Sequence, residues 1–209
     1  MRFSIQKELF DALPDLTIGM VVATGLDNSH PSKEIDALLS QTIEEMKKNF
    51  IVEKAQDHPR IKPWRNAFSK LAISGSKFPS SIESMARRVL KGDPFPKINP
   101  LVDLYNSVSL KYLVPMGGHD LDTLEGNIHL RFAEGWEPFT PMGGGETTVV
   151  PKGELIYRDD REVLPGIGCG VDVKKIKPLR RQKTSSSPSM SSGRWEEKGQ
   201  KRLSRSFKP

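Results

Sequence analysis

Residues 99–124 decide the fold of this chain and read NPLVDLYNSVSLKYLVPMGGHDLDTL. Asn99 is a favourable N-cap, and Pro100 suits the first helical position, where no backbone donor is needed. Larger apolar and aromatic residues then recur at spacings of four, three and four, namely Leu101, Tyr105, Val108 and Tyr112. Pro115 must end the helix, because its ring clashes with the preceding turn. The stretch therefore predicts one helix followed by a sharp exit.

The exit turn carries polar groups that a ligand can reach. Gly117 and Gly118 leave their backbone amides accessible, and His119 and Asp120 follow them directly. Asn106 adds a side-chain amide on the helix itself. We expect these groups to line one small binding site. The alternative interpretation is structural: Asp120 caps the following turn and His119 fills space.

Two helices are predicted further upstream. Ser32 caps the first, which carries an apolar stripe and ends in two lysines. The segment His58–Leu71 also has helical spacing and sets Trp64 among basic residues. Trp64 belongs either to the core or to a surface on which a nucleotide stacks.

A third upstream helix begins at the capping-box residues Ser80 and Glu83 and stops at Gly92. Its last turn is crowded with cations, which are Arg87, Arg88 and Lys91. Such cations complement the helix dipole by roughly 0.3–1 kcal/mol each, which is a structural explanation. Contact with RNA phosphates is the alternative.

Downstream of residue 124 the pattern changes from helical to alternating. Residues 128–132, 146–150 and 154–159 are predicted strands. The earlier segment Leu16–Ala23 is short, apolar and rich in β-branched residues, and it predicts a buried strand. Because helices precede most of the strands, we expect an α+β fold with helices packed on a mostly antiparallel sheet.

Charge divides the 209-residue chain into two parts. Residues 1–163 contain 20 Lys and Arg against 23 Asp and Glu, whereas residues 164–209 contain 12 against 3. We predict one domain over residues 1–163 and a basic, Ser-rich, disordered tail over residues 164–209. The tail is either the product of a reading-frame change or an RNA-binding arm. The body cannot attract RNA by its overall charge, so phosphate contacts require a local cluster.

Composition also narrows the chemistry and the compartment. The single Cys169 and four histidines predict neither an internal disulfide nor a metal centre, and no cofactor is expected. No run reaches the roughly 18 apolar residues of a membrane span. The N-terminus lacks the pattern of a signal peptide, so we expect a cytoplasmic protein with no membrane contact.

Four motifs taken together resemble the B3/B4 domain. They are VDLYN at residues 102–106, the turn PMGGHDLD, the segment IHLR and the segment GELIYRD. This domain forms the editing module of the bacterial phenylalanyl-tRNA synthetase beta chain and also occurs in free-standing proteins. The upstream block SSIESMARRVLKG is more similar to the free-standing members. The resemblance extends over the chain from about Leu13 to Val163.

The resemblance implies hydrolysis, in trans, of a wrongly attached amino acid from the aminoacylated 3′ end of a tRNA. This chain departs from the family pattern in two places. Gly117 occupies the position of the family's histidine, and no residue here matches the family's glutamate. A non-catalytic module that binds a tRNA end or an amino acid, or an inactive relative, is the alternative. The residues assigned are Asn106 and His119 for catalysis, Tyr105, Gly117, Gly118 and Asp120 for substrate contact, and Arg87, Arg88 and Lys91 for tRNA phosphates.

Overall fold

The computed structural model describes residues 1–140 and 145–164. The helices are α1 (Lys7–Ala12), α2 (Lys33–Asn49), α3 (Lys62–Lys70), α4 (Ser81–Lys91) and α5 (Pro100–Tyr112), with 3-10 turns at Ala55–Asp57 and Leu121–Thr123. The strands are β1 (Phe3–Ile5), β2 (Ile128–Phe132), β3 (Pro138–Phe139), β4 (Thr148–Val149), β5 (Leu155–Arg158) and β6 (Val163–Leu164). The predicted α+β class is confirmed.

Four of these strands form one mixed sheet in the order β1-β2-β5-β6. β1 pairs with β2 in parallel, whereas β2 with β5 and β5 with β6 are antiparallel. β3 and β4 form a separate antiparallel pair. Leu130 in the middle of β2 is buried and its neighbours are only partly covered, as expected for a strand whose two faces meet different surroundings.

The helices form a second layer with its own core, and their ends follow the local sequence signals. The Ser32 hydroxyl accepts a hydrogen bond from the Ile35 amide, and the Ser80 hydroxyl accepts one from the Glu83 amide. Helix α4 ends at Gly92 with φ 74°, a left-handed conformation that suits glycine. The largest apolar cluster joins α2, α4 and α5 through Leu39, Ile82, Ala86, Val89, Leu110 and Leu113.

Helix α5 buries a face that is largely polar. Leu101 and Tyr112, which belong to the apolar spacing read from the sequence, are 40% and 52% exposed. The buried positions are instead Asp103, Asn106, Ser107, Ser109 and Leu110. Local partners make part of this burial possible, since the Ser107 hydroxyl donates to the Asp103 carbonyl and the Ser109 hydroxyl donates to the Val114 carbonyl.

Other sequence predictions need correction. The predicted buried strand Leu16–Ala23 is wrong: the segment has no strand structure, and Val21 is 91% exposed. Within the described residues no strand pairs with it, so its β-branched side chains gain no ladder to stabilise them. The helix predicted over His58–Leu71 begins only at Lys62, since the chain first turns at Ala55–Asp57. The short strand β1 was not predicted, and residues 165–209 of the predicted tail lie outside the described part.

Candidate functional site

Helix α5 ends where the candidate site begins. The Asn99 side chain accepts a hydrogen bond from the Val102 amide at 2.9 Å and caps the first turn. The last helical residue is Tyr112, and Leu113 follows in the left-handed region with φ 56°. This conformation costs a non-glycine residue on the order of 1 kcal/mol, which burial of the Leu113 side chain offsets. The exit from α5 is therefore fixed by core packing as well as by Pro115.

The glycine turn contacts α5, and its histidine lies beside the sheet. A Cβ added to Gly118 would lie 3.6 Å from Cε1 of Tyr105, so the turn backbone rests against that ring. The next residue is His119, whose ring centroid is 6.0 Å from that of Tyr157 on β5. Tyr157 is in turn 6.2 Å, between ring centroids, from Phe3 on β1. Of the predicted residues, the structure brings together Tyr105, Gly118 and His119.

The titratable groups of this cluster are neutral at pH 7. Burial raises the pKa of Tyr157, and burial together with the nearby Asp103 carboxylate raises the pKa of Tyr105. Burial lowers the pKa of His119, although the residue as a whole is exposed, because neighbouring atoms crowd its ring. A neutral imidazole can accept a proton, so His119 is in the form that a general base requires.

Asp120 has a structural role in the turn. Its carboxylate accepts a hydrogen bond from the Asp122 amide at 3.1 Å, and its carbonyl accepts one from the Thr123 hydroxyl at 2.8 Å. It thereby caps the 3-10 turn Leu121–Thr123, which is the structural alternative raised by the sequence. No hydrogen bond joins Asp120 to His119 in the part of the chain that the structure describes. His119 therefore lacks an orienting carboxylate on its neighbour.

Asn106 is buried, and its side-chain amide has no partner. The residue is 9% exposed, and its amide forms no hydrogen bond with any other described residue. Successive helical residues project about 100° apart, so Asn106 points away from Tyr105 and nearly in phase with the buried Leu110. No hydrogen bond or ring contact joins it to His119 within residues 1–140 and 145–164. The joint site of Asn106 and His119 stays a prediction.

Arg87 takes part in a buried ion cluster. Its guanidinium lies 2.6 Å from a carboxylate oxygen of Glu83 and donates to the Gln56 side chain at 2.8 Å. Glu83 is fully buried and also accepts two hydrogen bonds from Arg65, at 2.8 and 2.7 Å. The cluster ties α4 to α3 and to the preceding 3-10 turn. Both contacts of Arg87 use Nη2, while its Nε and Nη1 have no partner among the described residues.

The other two predicted phosphate ligands are more accessible. Arg88 is exposed and uses one nitrogen, Nη1, to donate to the Pro94 carbonyl at 2.9 Å. Lys91 is exposed, and its ammonium group has no partner among the described residues. No hydrogen bond or ion pair in that part of the chain links either cation to the turn at His119. Contact with tRNA phosphates stays a prediction for all three cations.

Sequence analysis missed Tyr157 as a member of the site. It lies in the GELIYRD segment, which was assigned only as a strand. Side chains two residues apart on a strand point to the same face of the sheet. Tyr157 therefore shares a face with Leu155, which is buried in the apolar cluster beside β1 and β2. An aromatic residue on the covered face near a strand end could have been proposed as a contact for the histidine turn.

Neither a metal-binding cluster nor a membrane-spanning helix occurs among the described residues. Within the described residues, no three His, Cys, Asp or Glu side chains converge closely enough to hold a metal ion. None of the helices there combines the length and the apolar character needed to cross a lipid bilayer.

Comparison with known proteins finds relatives that match part of the chain. The chain is 42% identical over 67 residues to the phenylalanine–tRNA ligase beta subunit of Fusobacterium nucleatum and 37% identical over 67 residues to that of Shewanella oneidensis. Each alignment covers 32% of this chain and only 8% of the relative. No solved structure matches the chain. The B3/4 domain matches residues 63–172, more than half of the chain, and the protein therefore belongs to the B3/4 domain family.

Proposed function

We propose that this protein binds the aminoacylated 3′ end of a tRNA and hydrolyses the ester when the amino acid is wrongly attached. Family membership supports a tRNA-related role, because the curated relatives are beta subunits of phenylalanine–tRNA ligase. The observation that carries the catalytic part is the neutral imidazole of His119, which lies between a glycine turn and the ring of Tyr157. An aminoacyl ester is already activated, so its hydrolysis needs a positioned water rather than a strong nucleophile.

In this proposal His119 acts as the general base. It takes a proton from a water molecule while the water oxygen attacks the ester carbonyl carbon. The bond between that carbon and the ribose oxygen then breaks, and the oxygen leaves with a proton. The backbone amides of Gly117 and Gly118 form no hydrogen bond with other described residues, so they are available to a developing oxyanion.

The remaining predicted residues bind rather than react. The rings of Tyr105 and Tyr157 contact the amino acid, and the unpartnered amide of Asn106 orients its polar groups or the water. Arg88 and Lys91 contact tRNA phosphates, with a smaller share from Arg87, whose Nη2 is already paired. Asp120 contributes by holding the turn in place.

A deacylation assay over a panel of mischarged tRNAs tests the proposal. His119→Ala should lower kcat/KM by about 100-fold or more, the usual size of a general-base contribution. His30→Ala is a matched control, since His30 is an exposed histidine paired only with surface groups. Asn106→Ala should lower activity more than Asn66→Ala, which changes an exposed amide on α3. An unchanged rate for His119→Ala would contradict the catalytic assignment.

Binding without turnover is the second candidate, and one observation favours it. Asp120 caps a turn, which leaves His119 without the carboxylate partner that a general base commonly has. Gel-shift titration with charged and uncharged tRNA separates the candidates. Tight binding of the charged form with no hydrolysis of any mischarged tRNA would favour the binding module.

A further inference from the structure

A cavity lies between the C-terminal ends of α2 and α5 and contains no residue of the His119 turn. Its volume is about 140 Å³, close to the roughly 150 Å³ of an engineered apolar cavity that accommodates benzene. The space therefore suits an apolar group of about six heavy atoms. Its apolar walls are formed by Met46, Phe50, Leu110 and Leu113.

Two nearly buried polar side chains line the same cavity. Thr42 is 4% exposed and His58 is 9% exposed. Nδ1 of His58 accepts a hydrogen bond from the Arg60 amide at 3.2 Å, which places the ring proton of the neutral imidazole on Nε2. Neither the Thr42 hydroxyl nor the Nε2–H group of His58 bonds to another described residue. Both groups line the open space of the cavity, so a ligand acceptor placed there can take the hydrogen bonds that water otherwise supplies.

The surroundings keep His58 in place as a donor. Its ring stacks on Phe50 with centroids 4.8 Å apart, which fixes the ring orientation. Burial and the charge of Arg60 lower the pKa of His58, so the imidazole is neutral at pH 7. Nδ1 is already an acceptor, and Nε2 therefore remains a donor.

The mouth of the cavity adds one charge of each sign. Glu45 and Lys111 both line it and are both exposed. A ligand that is only an anion would meet the Glu45 carboxylate, and a ligand that is only a cation would offer no acceptor to Thr42 and His58. A zwitterion can pair its positive group with Glu45 and its negative group with Lys111.

We propose that this cavity binds a free α-amino acid with an apolar side chain. The carboxylate of the ligand accepts hydrogen bonds from Thr42 and His58 and lies near Lys111. Its ammonium group pairs with Glu45, and its side chain occupies the apolar wall. This binding site is independent of the proposed deacylation, because it shares no residue with the turn at His119.

Methyl NMR of the full chain labelled at its methionine methyl groups tests the proposal directly. L-leucine should shift the Met46 resonance in a saturable titration, and Met46→Leu assigns that resonance among the seven methionines. Thr42→Val, which keeps the side-chain shape, should weaken binding about tenfold or more, the loss expected for a hydrogen bond to a charged group. Ser40→Ala on the same helix is the control, since its hydroxyl bonds the Asp36 carbonyl instead.

Ligand analogues and a rim variant sharpen the test. 4-Methylpentanoate is leucine without the ammonium group, and isoamylamine is leucine without the carboxylate, so each should bind at least about tenfold more weakly than L-leucine, as expected for one lost charged hydrogen bond. Glu45→Gln should reduce the preference for L-leucine over 4-methylpentanoate without affecting folding, because Glu45 is exposed. No shift of Met46 by L-leucine, or equal affinity for either analogue, would overturn the proposal.

Discussion

In the loops next to the sheet, both oxygens of the buried carboxylates of Glu137 and Asp159 are hydrogen-bonded, whereas helix α5 and the glycine turn after it leave several amide groups without a partner among the described residues. Glu137 accepts from three successive backbone amides and pairs with Arg131 at 2.6 Å. Asp159 accepts from three backbone amides of two loops. By contrast, the side-chain amide of Asn106 and the backbone amide of Gly117 form no hydrogen bond with other described residues. Satisfied polar groups hold the fold, and unsatisfied ones remain available to a ligand.

The largest effect expected from this comparison is at Glu83, a satisfied carboxylate in the helical layer. Glu83→Ala should lower the free energy of unfolding by about 3–5 kcal/mol, because two arginines lose the buried partner they share. The control is Glu44→Ala, which breaks an exposed pair with Lys47 and should leave the free energy of unfolding nearly unchanged. Urea denaturation measures both. Equal losses would show that burial of the ion cluster does not matter.

Acid should destabilise the protein through Glu137. Burial alone would raise the pKa of this carboxyl, but the backbone amides and Arg131 lower it from 4.5 to about 2. A carboxyl with a depressed pKa contributes stability above its unfolded pKa, and that contribution is lost as the pH falls through the folded pKa. About 3 kcal/mol should therefore disappear between pH 4.5 and pH 2.

The comparison of Glu137→Gln with wild type isolates this contribution. Urea unfolding from pH 7 to pH 2 should show a weaker pH dependence in the variant. Glu53→Gln should follow the wild-type curve, because Glu53 is exposed and has no partner among the described residues. Parallel curves for wild type and Glu137→Gln would contradict the assignment.

The local part of the fold could be predicted from sequence, and the pairing of distant segments could not. Ser32, Ser80 and Asn99 cap their helices as their positions indicated, because a cap depends on the next three residues alone. Leu16–Ala23 has the composition of a strand, but a strand also needs a neighbour, which no local pattern specifies. The short strand β1 owes its structure to its pairing with β2 rather than to any pattern of its own.

Part of the candidate site could likewise be predicted from sequence, and part of it depends on contacts between distant segments. The proline and the glycines placed His119 on an exposed turn, since both act on their own backbone. Tyr157 could not be connected to that turn, because it lies on a strand that follows it in sequence and meets it only in the folded chain. The role of Arg87 was open for the same reason: its partner Glu83 is one turn away on its own helix, but Gln56 belongs to a distant segment.

The pH profile of deacylation tests the role of His119 on the turn after α5. Burial lowers the pKa of His119 below its ordinary value of 6.5, and the neutral ring is the active form. The value of kcat/KM should therefore be level near pH 7 and above, and it should fall about tenfold per pH unit below the pKa of His119. His30→Ala should keep this profile. A midpoint above 6.5 would mean that a different group carries the proton.

The smallest effect on stability is expected at the glycine turn itself. An alanine Cβ at Gly117 would have no atom within 4 Å, and this residue is not in the left-handed region, so Gly117→Ala should change the free energy of unfolding by less than about 0.5 kcal/mol. The contrasting residue is Gly126 beside the sheet, where φ is 72° and a Cβ would lie 1.8 Å from Oδ2 of Asp160. Gly126→Ala should therefore be clearly destabilising.

Deacylation rates of Gly117→Ala and Gly126→Ala test whether the glycine turn binds the substrate. If a ligand approaches the amide of Gly117, Gly117→Ala should lower kcat/KM severalfold at nearly unchanged stability, because the added methyl group occupies the approach to that amide. Gly126→Ala should lose stability while its folded fraction keeps normal kcat/KM. A Gly117→Ala protein with wild-type kcat/KM would place the ligand away from the turn and leave its open amides without a role in binding.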